Sequence, residues 1–349
     1  MMYEKAKAIV VSQPSHAEVK DISLCPVDED TIVIKTEYSA ISTGTELKVW
    51  SGLSGHLGGQ LWYPLIPGYE EVGEIVWVGK NVKGYQIGDR VMANEVRYYP
   101  NHCAAWGGQC GLAIKNKKTA PSPFDPPAKI PDNVSYQQAV LAYLAAVAEK
   151  GINKVKINVG ETVLVIGMGM IGISAVQLAK LEGAKVIAMD INRKRLELAE
   201  SFADEIIDAR KDNPVKILQQ MTNNRLADVI VECSGNPKVI SELYQYLRNG
   251  GWTNDDDGGR IHLQGDYPYP IIINWYQPWF TKNMRISMTC AIRPGGKEKI
   301  LKLMSEGKFR TDTILNSDMT LEMPVDDAQN AYKTLKESDG DIFKILLKW

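Results

Sequence analysis

Short apolar runs alternate with helical segments through the middle of the chain, and this alternation predicts the fold there. Val163–Ile166 and Lys185–Met189 are aliphatic runs typical of buried parallel strands. Further strands are predicted at Glu205–Asp208, Ala227–Cys233, Arg260–Leu263 and Arg285–Cys290, with helices at Arg195–Phe202, Pro214–Met221 and Lys238–Leu247. Strands and helices that alternate in this way form an α/β, doubly wound, mostly parallel sheet, which binds nucleotides at the carboxyl ends of its strands.

The part of the chain before residue 146 has a different pattern. Its short strands are separated by Gly, Pro and Asn and predict a small antiparallel barrel, at Ala6–Val11, Thr31–Ser39, Glu71–Val78 and Arg90–Ala93. After Cys290, a predicted helix (Lys297–Glu306) and strand (Ile342–Leu347) are too few to form a domain alone, so we expect them to join the barrel. The predicted domains are therefore 1–145 with 291–349, and 146–290, and the active site is expected in the cleft between them.

Composition narrows the classes of function. The 349 residues carry a formal net charge of −2, which does not favour nucleic-acid binding. Hydrophobic residues make up 44% of the chain, yet no apolar run is long enough to span a membrane. The first residues lack the apolar core of a signal peptide, and the five scattered cysteines fit a reducing compartment. We therefore expect a cytoplasmic protein with a small-molecule substrate.

A glycine-rich turn follows the strand Val163–Ile166 and indicates a dinucleotide site. Gly167 allows the tight turn, Gly169 leaves room for a pyrophosphate, and Gly172 lets the next helix pack closely. Met170 and Ile171 begin that helix, whose free N–H groups attract phosphates.

The residues at the ends of the neighbouring strands complete the predicted cofactor site. Asp190 ends the second strand, where a carboxylate accepts hydrogen bonds from the adenosine ribose, and this position favours NAD over NADP. Arg193, Lys194 and Arg195 follow. They either meet a 2′-phosphate or form a solvated helix face, or Arg195 reaches the ribose. Cys233, Ser234 and Gly265 end later strands and are further predicted cofactor contacts.

An ordered set of motifs in the first 132 residues resembles the medium-chain dehydrogenase/reductase superfamily, the zinc-type alcohol dehydrogenases. The motifs are Ser42-Thr43-Gly44-Thr45-Glu46, Pro67-Gly68-Tyr69-Glu70-Glu71-Val72-Gly73, Val78-Gly79, Gly88-Asp89-Arg90-Val91, Gly107-Gly108-Gln109-Cys110 and Lys129-Ile130-Pro131-Asp132. The resemblance implies a Rossmann NAD-binding domain inserted into a GroES-like, β-barrel-type catalytic domain. It also implies a homodimer. The STGTE and GYE versions of the motifs resemble, more weakly, bacteriochlorophyllide-type dehydrogenases and bacterial sugar or cyclitol dehydrogenases.

The chain differs from the resembled family at the positions of the zinc ligands. Zinc members place a Cys before the Gly-Thr pair, a His in a Gly-His-Glu motif, and a Cys or Glu near the domain crossover. Thr43, Tyr69 and Ala142 stand at these positions, and such side chains do not replace imidazole and thiolate ligands. The four-cysteine structural zinc lobe retains only Cys103 and Cys110. We therefore expect no zinc.

Without zinc, side chains must stabilise and deprotonate the substrate hydroxyl. Tyr69 is the first candidate, with Lys48 as a cation that would lower the pKa of its phenol. The hypothesis is a proton path from the substrate oxygen through Tyr69 or Thr43, Thr45 and the cofactor ribose to Lys48. The alternative is that Tyr69 only fills the metal pocket and Lys48 is a surface lysine.

Four further residues have predicted roles around this centre. Glu70 is either a base or a buried structural carboxylate paired with a basic residue such as Arg293. Glu46, Trp62 and Tyr143 are predicted substrate contacts.

The leading hypothesis is a zinc-independent, NAD-dependent oxidoreductase that interconverts a secondary alcohol and a ketone, with a polyol, cyclitol or sugar-like substrate. One alternative is a zinc-less enoyl or quinone reductase that uses NAD(P)H. Asp190 and Thr45 argue against it, because those enzymes favour NADPH and lack the Gly-Thr-Glu pattern. The other alternative is a non-catalytic NAD(H)-binding protein.

Overall fold

The chain folds into two compact units. The computed structural model describes residues 3–53, 61–120, 126–211, 213–251, 258–267 and 270–349. One unit consists of Met1–Tyr143 and Arg293–Trp349, and the other of Leu144–Ile292. The second unit is thus inserted into the sequence of the first. The predicted α/β fold class is confirmed.

The first unit is mainly β-structure. Its strands are β1 (Lys5–Gln13), β2 (His16–Ser23), β3 (Ile32–Ile41), β4 (Leu65–Ile66), β5 (Glu71–Val78), β6 (Arg90–Met92), β7 (Cys103–Ala104), β8 (Leu112–Lys115), β9 (Ala128–Lys129), β16 (Thr320–Pro324) and β17 (Lys344–Lys348). Its helices are α1 (Thr45–Trp50), α2 (Tyr136–Ala139), α9 (Gly296–Ser305), α10 (Asp312–Leu315) and α11 (Ala328–Glu337), with a 3₁₀ turn at Val325–Asp327. The last six of these elements in the chain, from α9 to β17 and including the 3₁₀ turn, follow the inserted unit.

Two sheets organise this unit. One has the strand order β2-β1-β4-β7, and the other has the order β16-β17-β3-β5-β6-β9, with β8 paired to β3. In the larger sheet, β3 pairs antiparallel with β5 and with β17, and β5 pairs antiparallel with β6. The end of β3, the start of β5, the end of β6 and the start of β17 therefore meet at one edge of the sheet. The segments that leave these strand ends carry the candidate catalytic residues.

The second unit is a six-stranded parallel sheet in the order β12-β11-β10-β13-β14-β15. Its strands are β10 (Thr162–Ile166), β11 (Lys185–Asp190), β12 (Glu205–Asp208), β13 (Val229–Glu232), β14 (Arg260–Leu263) and β15 (Arg285–Met288). Its helices are α4 (Met170–Leu181), α5 (Arg193–Ala199), α6 (Pro214–Met221), α7 (Pro237–Ile240) and α8 (Tyr276–Phe280), preceded by α3 (Ala142–Val155). Most of the β10, β11 and β13 side chains are buried, as expected for strands covered on both faces.

The predicted helix Lys238–Leu247 is wrong in its extent. The structure has α7 and then a separate 3₁₀ helix at Leu243–Tyr246. The N–H of Gln245 bonds to the carbonyl of Glu242, three residues back, which is the 3₁₀ and not the α-helical spacing. The structure also has helices that were not predicted, namely α1, α2, α3, α8, α10 and α11.

Candidate active site

Two of the glycines in the turn after β10 occupy positions where a side chain does not fit. Gly167 has a φ of +89°, and a Cβ built on it would lie 2.6 Å from the backbone nitrogen of Ser234. A Cβ on Gly172 would lie 1.8 Å from the carbonyl oxygen of Gly167. These two glycines therefore let the strand turn sharply and let α4 pack against the turn.

Gly169 has a different environment, because open space surrounds it. The nearest atom to a Cβ built there is Nη1 of Arg195, at 3.8 Å. Gly169 is the N-terminal cap of α4, so the N–H groups of the first helical turn, which begins with Met170 and Ile171, lie beside it. Backbone donors, a helix N-terminus and a guanidinium around an open position fit a pyrophosphate group.

Asp190 lies at the carboxyl end of β11, next to this turn. Its Oδ2 accepts a hydrogen bond from the Met168 N–H at 2.5 Å, and its Oδ1 accepts one from the Asn192 N–H at 2.7 Å. These bonds fix the orientation of the carboxylate. A carboxylate has about four acceptor positions, so capacity remains for the two hydroxyls of a ribose.

Arg193, the first of the basic residues after Asp190, pairs with acidic residues of its own helix, α5, and of the position that follows it. Arg193 forms ion pairs with Glu197 at 3.1 Å and with Glu200 at 3.2 Å. This geometry agrees with the solvated-face interpretation for Arg193. Arg195, in contrast, reaches the space at Gly169.

The predicted cofactor contacts Cys233 and Ser234 follow β13, and Gly265 follows β14. Beside them lies Glu232, a carboxylate that the sequence analysis missed. Glu232, the last residue of β13, is fully buried and accepts hydrogen bonds from the hydroxyls of Ser234 and Tyr267. Burial raises the pKa of this carboxyl group. The signal in the sequence was an acidic residue at the end of an otherwise apolar strand.

In the first unit, the edge of the larger sheet brings Ser42, Thr45 and Tyr69 together. Ser42 follows β3 and Tyr69 lies just before β5, so the antiparallel pairing of the two strands makes them neighbours. The Tyr69 hydroxyl donates a hydrogen bond to Oγ of Ser42 at 2.5 Å, and Thr45 also hydrogen-bonds to Tyr69. Ser42 was not a predicted site residue. Thr43 lies in the same turn and is partly exposed.

The expected activation of Tyr69 by a cation is not supported. Burial strongly raises the pKa of the Tyr69 phenol, and the carboxylates of Glu70 and Glu46 raise it further. Tyr69 therefore stays protonated and acts as a hydrogen-bond donor. Lys48 lies in α1 and is partly exposed.

Glu70 forms a buried ion pair, and the expected partner was wrong. Nζ of Lys344, not Arg293, lies 2.5 Å from Oε1 of Glu70, and both side chains are almost completely buried. Burial raises the pKa of Glu70, while Lys344 counteracts this effect. The pair supports the structural interpretation of Glu70 over its role as a base.

The contact of Glu46 with substrate hydroxyls stays a prediction; in the structure its side chain is fully buried and bonded to protein groups. Its carboxylate accepts hydrogen bonds from the Ser42 N–H at 3.1 Å, from Nε2 of Gln109 at 2.9 Å and from the hydroxyl of Tyr332. Burial raises the pKa of Glu46 to about 7. Glu46 therefore anchors the turn that carries Ser42 and Thr45.

Aromatic rings enclose Tyr69. Its ring centroid lies 4.9 Å from that of Tyr143 and 5.5 Å from that of Trp106, which meets it edge to face. The Tyr143 hydroxyl donates to Oε1 of Glu95 at 2.9 Å. Trp62, a predicted substrate contact, is about half exposed, at 51%.

The residues at the three positions that correspond to zinc ligands in the resembled family do not fit a zinc ion. A hydroxyl (Thr43), a protonated phenol (Tyr69) and a methyl group (Ala142) are not the donors that zinc prefers. Over the described ranges, no group of three or more His, Cys, Asp or Glu side chains is placed to hold a metal ion. In the same part of the chain, no helix has the length and apolar character needed to cross a membrane.

Comparison with known proteins identifies the superfamily. The family model for the alcohol dehydrogenase GroES-like domain matches residues 28–120, and the model for zinc-binding dehydrogenases matches residues 171–254. The chain belongs to the zinc-type alcohol dehydrogenase-like, medium-chain superfamily, and the protein is an alcohol dehydrogenase-like oxidoreductase.

Similar proteins match over most of their length. An uncharacterized zinc-type alcohol dehydrogenase-like protein of Haemophilus influenzae is 28% identical over 340 residues, covering 92% of this chain and 93% of that protein. The L-threonine 3-dehydrogenase of Alteromonas mediterranea is 29% identical over 350 residues, covering 93% of each. The solved structure of a short chain alcohol dehydrogenase from Escherichia coli CFT073, complexed with NADH, has a TM-score of 0.81 at 21% identity and covers 99% of this chain and 100% of that one. This last likeness shows the fold alone.

Proposed function

We propose that the protein is a zinc-independent, NAD-dependent dehydrogenase that interconverts a secondary alcohol and its ketone, with a polyol, cyclitol or sugar-like substrate. One observation carries the proposal. At the position where zinc relatives have a histidine ligand, Tyr69 places a protonated hydroxyl in a network with Ser42 and Thr45. The site offers hydrogen-bond donors to a substrate oxygen instead of a Lewis acid.

The second unit supports the choice of cofactor. The open space at Gly169, with Arg195 and the N-terminus of α4 beside it, fits a pyrophosphate. The oriented carboxylate of Asp190 suits two ribose hydroxyls and repels a 2′-phosphate, so we expect NAD to bind more tightly than NADP.

The residues of the first unit supply the remaining requirements of the reaction. NAD, when bound, accepts the hydride that leaves the carbinol carbon. The single O–H proton of Tyr69, which is donated to Oγ of Ser42 in the structure, turns to the substrate oxygen when the substrate binds. A donor at this position stabilises the negative charge that develops on that oxygen. Trp106, which is partly exposed and contacts the Tyr69 ring, gives an apolar ring on which the C–H groups of a polyol or sugar can stack.

The experiment is an absorbance assay for reduced nicotinamide. Protein dialysed against a chelator is incubated with NAD or NADP and a panel of polyols, cyclitols, sugars and simple secondary alcohols. We expect NADH formation with at least one panel member and at least about tenfold slower turnover with NADP. Activity confined to enones with NADPH would replace the proposal with an enoyl reductase. Binding of NADH without turnover of any compound would make the protein a non-catalytic cofactor binder.

A further inference from the structure

The carboxylate of Glu95 lies at the centre of a group of side chains that the preceding mechanism does not use. Glu95 follows β6 at the same sheet edge as Tyr69 and is only 6% exposed. Its Oε1 accepts the hydrogen bond from the Tyr143 hydroxyl at 2.9 Å, and its Oε2 lies 2.5 Å from Nε of Arg97. A buried carboxylate thus contacts an aromatic hydroxyl on one side and a half-exposed guanidinium on the other.

The segment that carries Glu95 has a strained backbone. Asn94 and Trp106 have φ values of +59° and +68°, in the left-handed region, which asparagine tolerates but a bulky residue such as Trp106 rarely adopts. The N–H of Val96 donates to the carbonyl of Trp106 at 2.8 Å, which ties the two ends of the segment together. The result is that Trp106 contacts the ring of Tyr69 while Glu95 contacts the hydroxyl of Tyr143. Strain of this kind persists where the surroundings enforce it, and it is concentrated at functional sites.

The two tyrosines of the aromatic pair have hydroxyl groups with different chemistry. The Tyr69 hydroxyl is bonded to the hydroxyls of Ser42 and Thr45, none of which is a base near neutral pH. The Tyr143 hydroxyl is bonded to a carboxylate, which can accept a proton from it. Tyr69 is therefore suited to donate a hydrogen bond, and Tyr143 is suited to transfer a proton.

We propose that Tyr143 and Glu95 form the proton-transferring pair of the reaction, with Tyr143 as the catalytic residue at the substrate hydroxyl and Glu95 acting through it. The inference rests on the proposed function. As the carbinol C–H electron pair leaves as hydride, the substrate O–H bond breaks and its proton bonds to the Tyr143 oxygen. The original Tyr143 proton passes to Oε1 of Glu95, and the electrons of the broken substrate O–H bond form the carbonyl π bond. The proton then leaves Glu95 for solvent on the side of Arg97, which is 45% exposed.

The charges around Glu95 favour its role as a base. Besides Arg97, the buried ammonium of Lys115 donates hydrogen bonds to the carbonyls of Ala93 and Glu95 itself. Arg97 stabilises the ionised carboxylate directly, whereas Lys115, from β8, holds the backbone of the segment that carries Glu95. Tyr143 is the neutral group that faces it.

Glu95→Gln and Tyr143→Phe test the proposal in the full-length protein. Glutamine keeps an oxygen that accepts the Tyr143 hydrogen bond but is not a base. We expect each variant to lower kcat by about 100-fold or more and to leave the Kd for NADH, measured by fluorescence titration, unchanged. Because the proposal makes the ionised Glu95 carboxylate the proton acceptor, it predicts an acid limb, a fall of the wild-type kcat as the pH is lowered. This acid limb is expected to disappear in both variants.

Glu322→Gln is the matched control. Glu322 accepts a hydrogen bond from the Tyr38 hydroxyl at 3.1 Å, so it is a tyrosine–glutamate pair in the same unit, at an exposed position away from Tyr69. We expect its kcat and pH profile to match those of the wild type. If Glu95→Gln does not fold, the kcat and pH profile of Tyr143→Phe test the assignment of the pair.

The outcomes separate the two proposals. An active wild type together with variants that retain its kcat and acid limb overturns the Tyr143–Glu95 assignment alone. A wild type that turns over no alcohol overturns the proposed function and this assignment with it. A lower kcat that keeps the acid limb shows only a structural role for Glu95 and also contradicts the proposal.

Discussion

Nζ of Lys344 lies 2.5 Å from Oε1 of Glu70, and the two side chains are 1% and 0% exposed. Lys344 begins β17, and Glu70 immediately precedes β5, so both lie at the sheet edge that carries Tyr69. A buried ion pair of this kind adds little net stability, but it is costly to break because one charge is then left without a partner.

We therefore predict that Lys344→Met destabilises the protein by about 3–5 kcal/mol, since it leaves the Glu70 carboxylate buried without its cation. Urea unfolding measures the change. The control is Lys7→Met, which removes an ion pair with Asp326 whose side chains are 58% and 69% exposed. Lys7→Met is expected to lower the free energy of unfolding by about 1 kcal/mol or less. Equal effects of the two variants would show that the buried pair has no special role.

The pKa of Glu46 predicts a pH-dependent stability. Burial raises this pKa from its ordinary value of 4.5 to about 7, so the folded state favours the protonated form. The associated stabilisation is present in full below pH 4.5 and is lost as the pH rises through about 7. The loss is on the order of 3 kcal/mol.

Glu46→Gln removes this titration and keeps a similar shape. We expect the free energy of unfolding to fall less for the variant than for the wild type between about pH 5 and pH 8. Chemical denaturation at several pH values measures the difference. Parallel curves for the two proteins would show that Glu46 does not titrate in this range.

Substitutions at Gly169 and Gly172 should have different effects, the first on cofactor binding and the second on stability. Gly169→Ala meets only Nη1 of Arg195, at 3.8 Å, so it should change stability by about 1 kcal/mol or less. It should nevertheless weaken NADH binding by about tenfold or more, because the methyl group takes the space of the pyrophosphate. Gly172→Ala would place a Cβ 1.8 Å from the Gly167 carbonyl and should destabilise the second unit itself. Thermal unfolding and fluorescence titration distinguish the two variants, and unchanged NADH affinity in Gly169→Ala would contradict the assignment.

Strand β15 is at the edge of the parallel sheet and is unusually exposed. Ile286 and Met288 are 41% and 60% exposed, and Trp275 and Tyr276 nearby are 72% and 70% exposed. An apolar edge strand is a template for pairing, and we propose that it pairs with a second copy of the chain.

Analytical ultracentrifugation should then find a homodimer. We expect the double variant Ile286→Lys, Met288→Lys to be a monomer, because like charges would face each other across the pairing. Val159→Lys, at a position that is 86% exposed, is the control and should remain a dimer. A monomeric wild type at micromolar concentration would overturn this proposal.

Local patterns in the sequence predicted the strands of the second unit and the turn after β10, but not α3, α8 or the break in Lys238–Leu247. The strand, glycine turn, helix and terminal Asp190 are adjacent in the chain, and their spacing alone led to the proposed nucleotide site. The polar partners in the first unit could not be predicted in the same way. Lys344 is 274 residues from Glu70, Tyr332 is 286 residues from Glu46, and Tyr143 is 48 residues from Glu95.

Strand pairing and helix packing between distant parts of the chain bring these side chains together, and no periodicity in one sequence predicts such contacts. Glu46 shows the consequence. Its position beside Thr45 suggested an accessible carboxylate, whereas the packing of α11 against α1 buries it under Tyr332. The charge of a residue could be read from the sequence, but its exposure depended on distant contacts.

The central claim is that side-chain donors at Tyr69 replace a metal ion in alcohol oxidation. The most direct measurement combines elemental analysis with turnover on the same chelator-dialysed sample. The account predicts NADH formation from an alcohol at the undialysed rate, with zinc well below one atom per chain. Stoichiometric zinc in the active protein, with activity that is lost on chelation and restored by adding zinc, would contradict it.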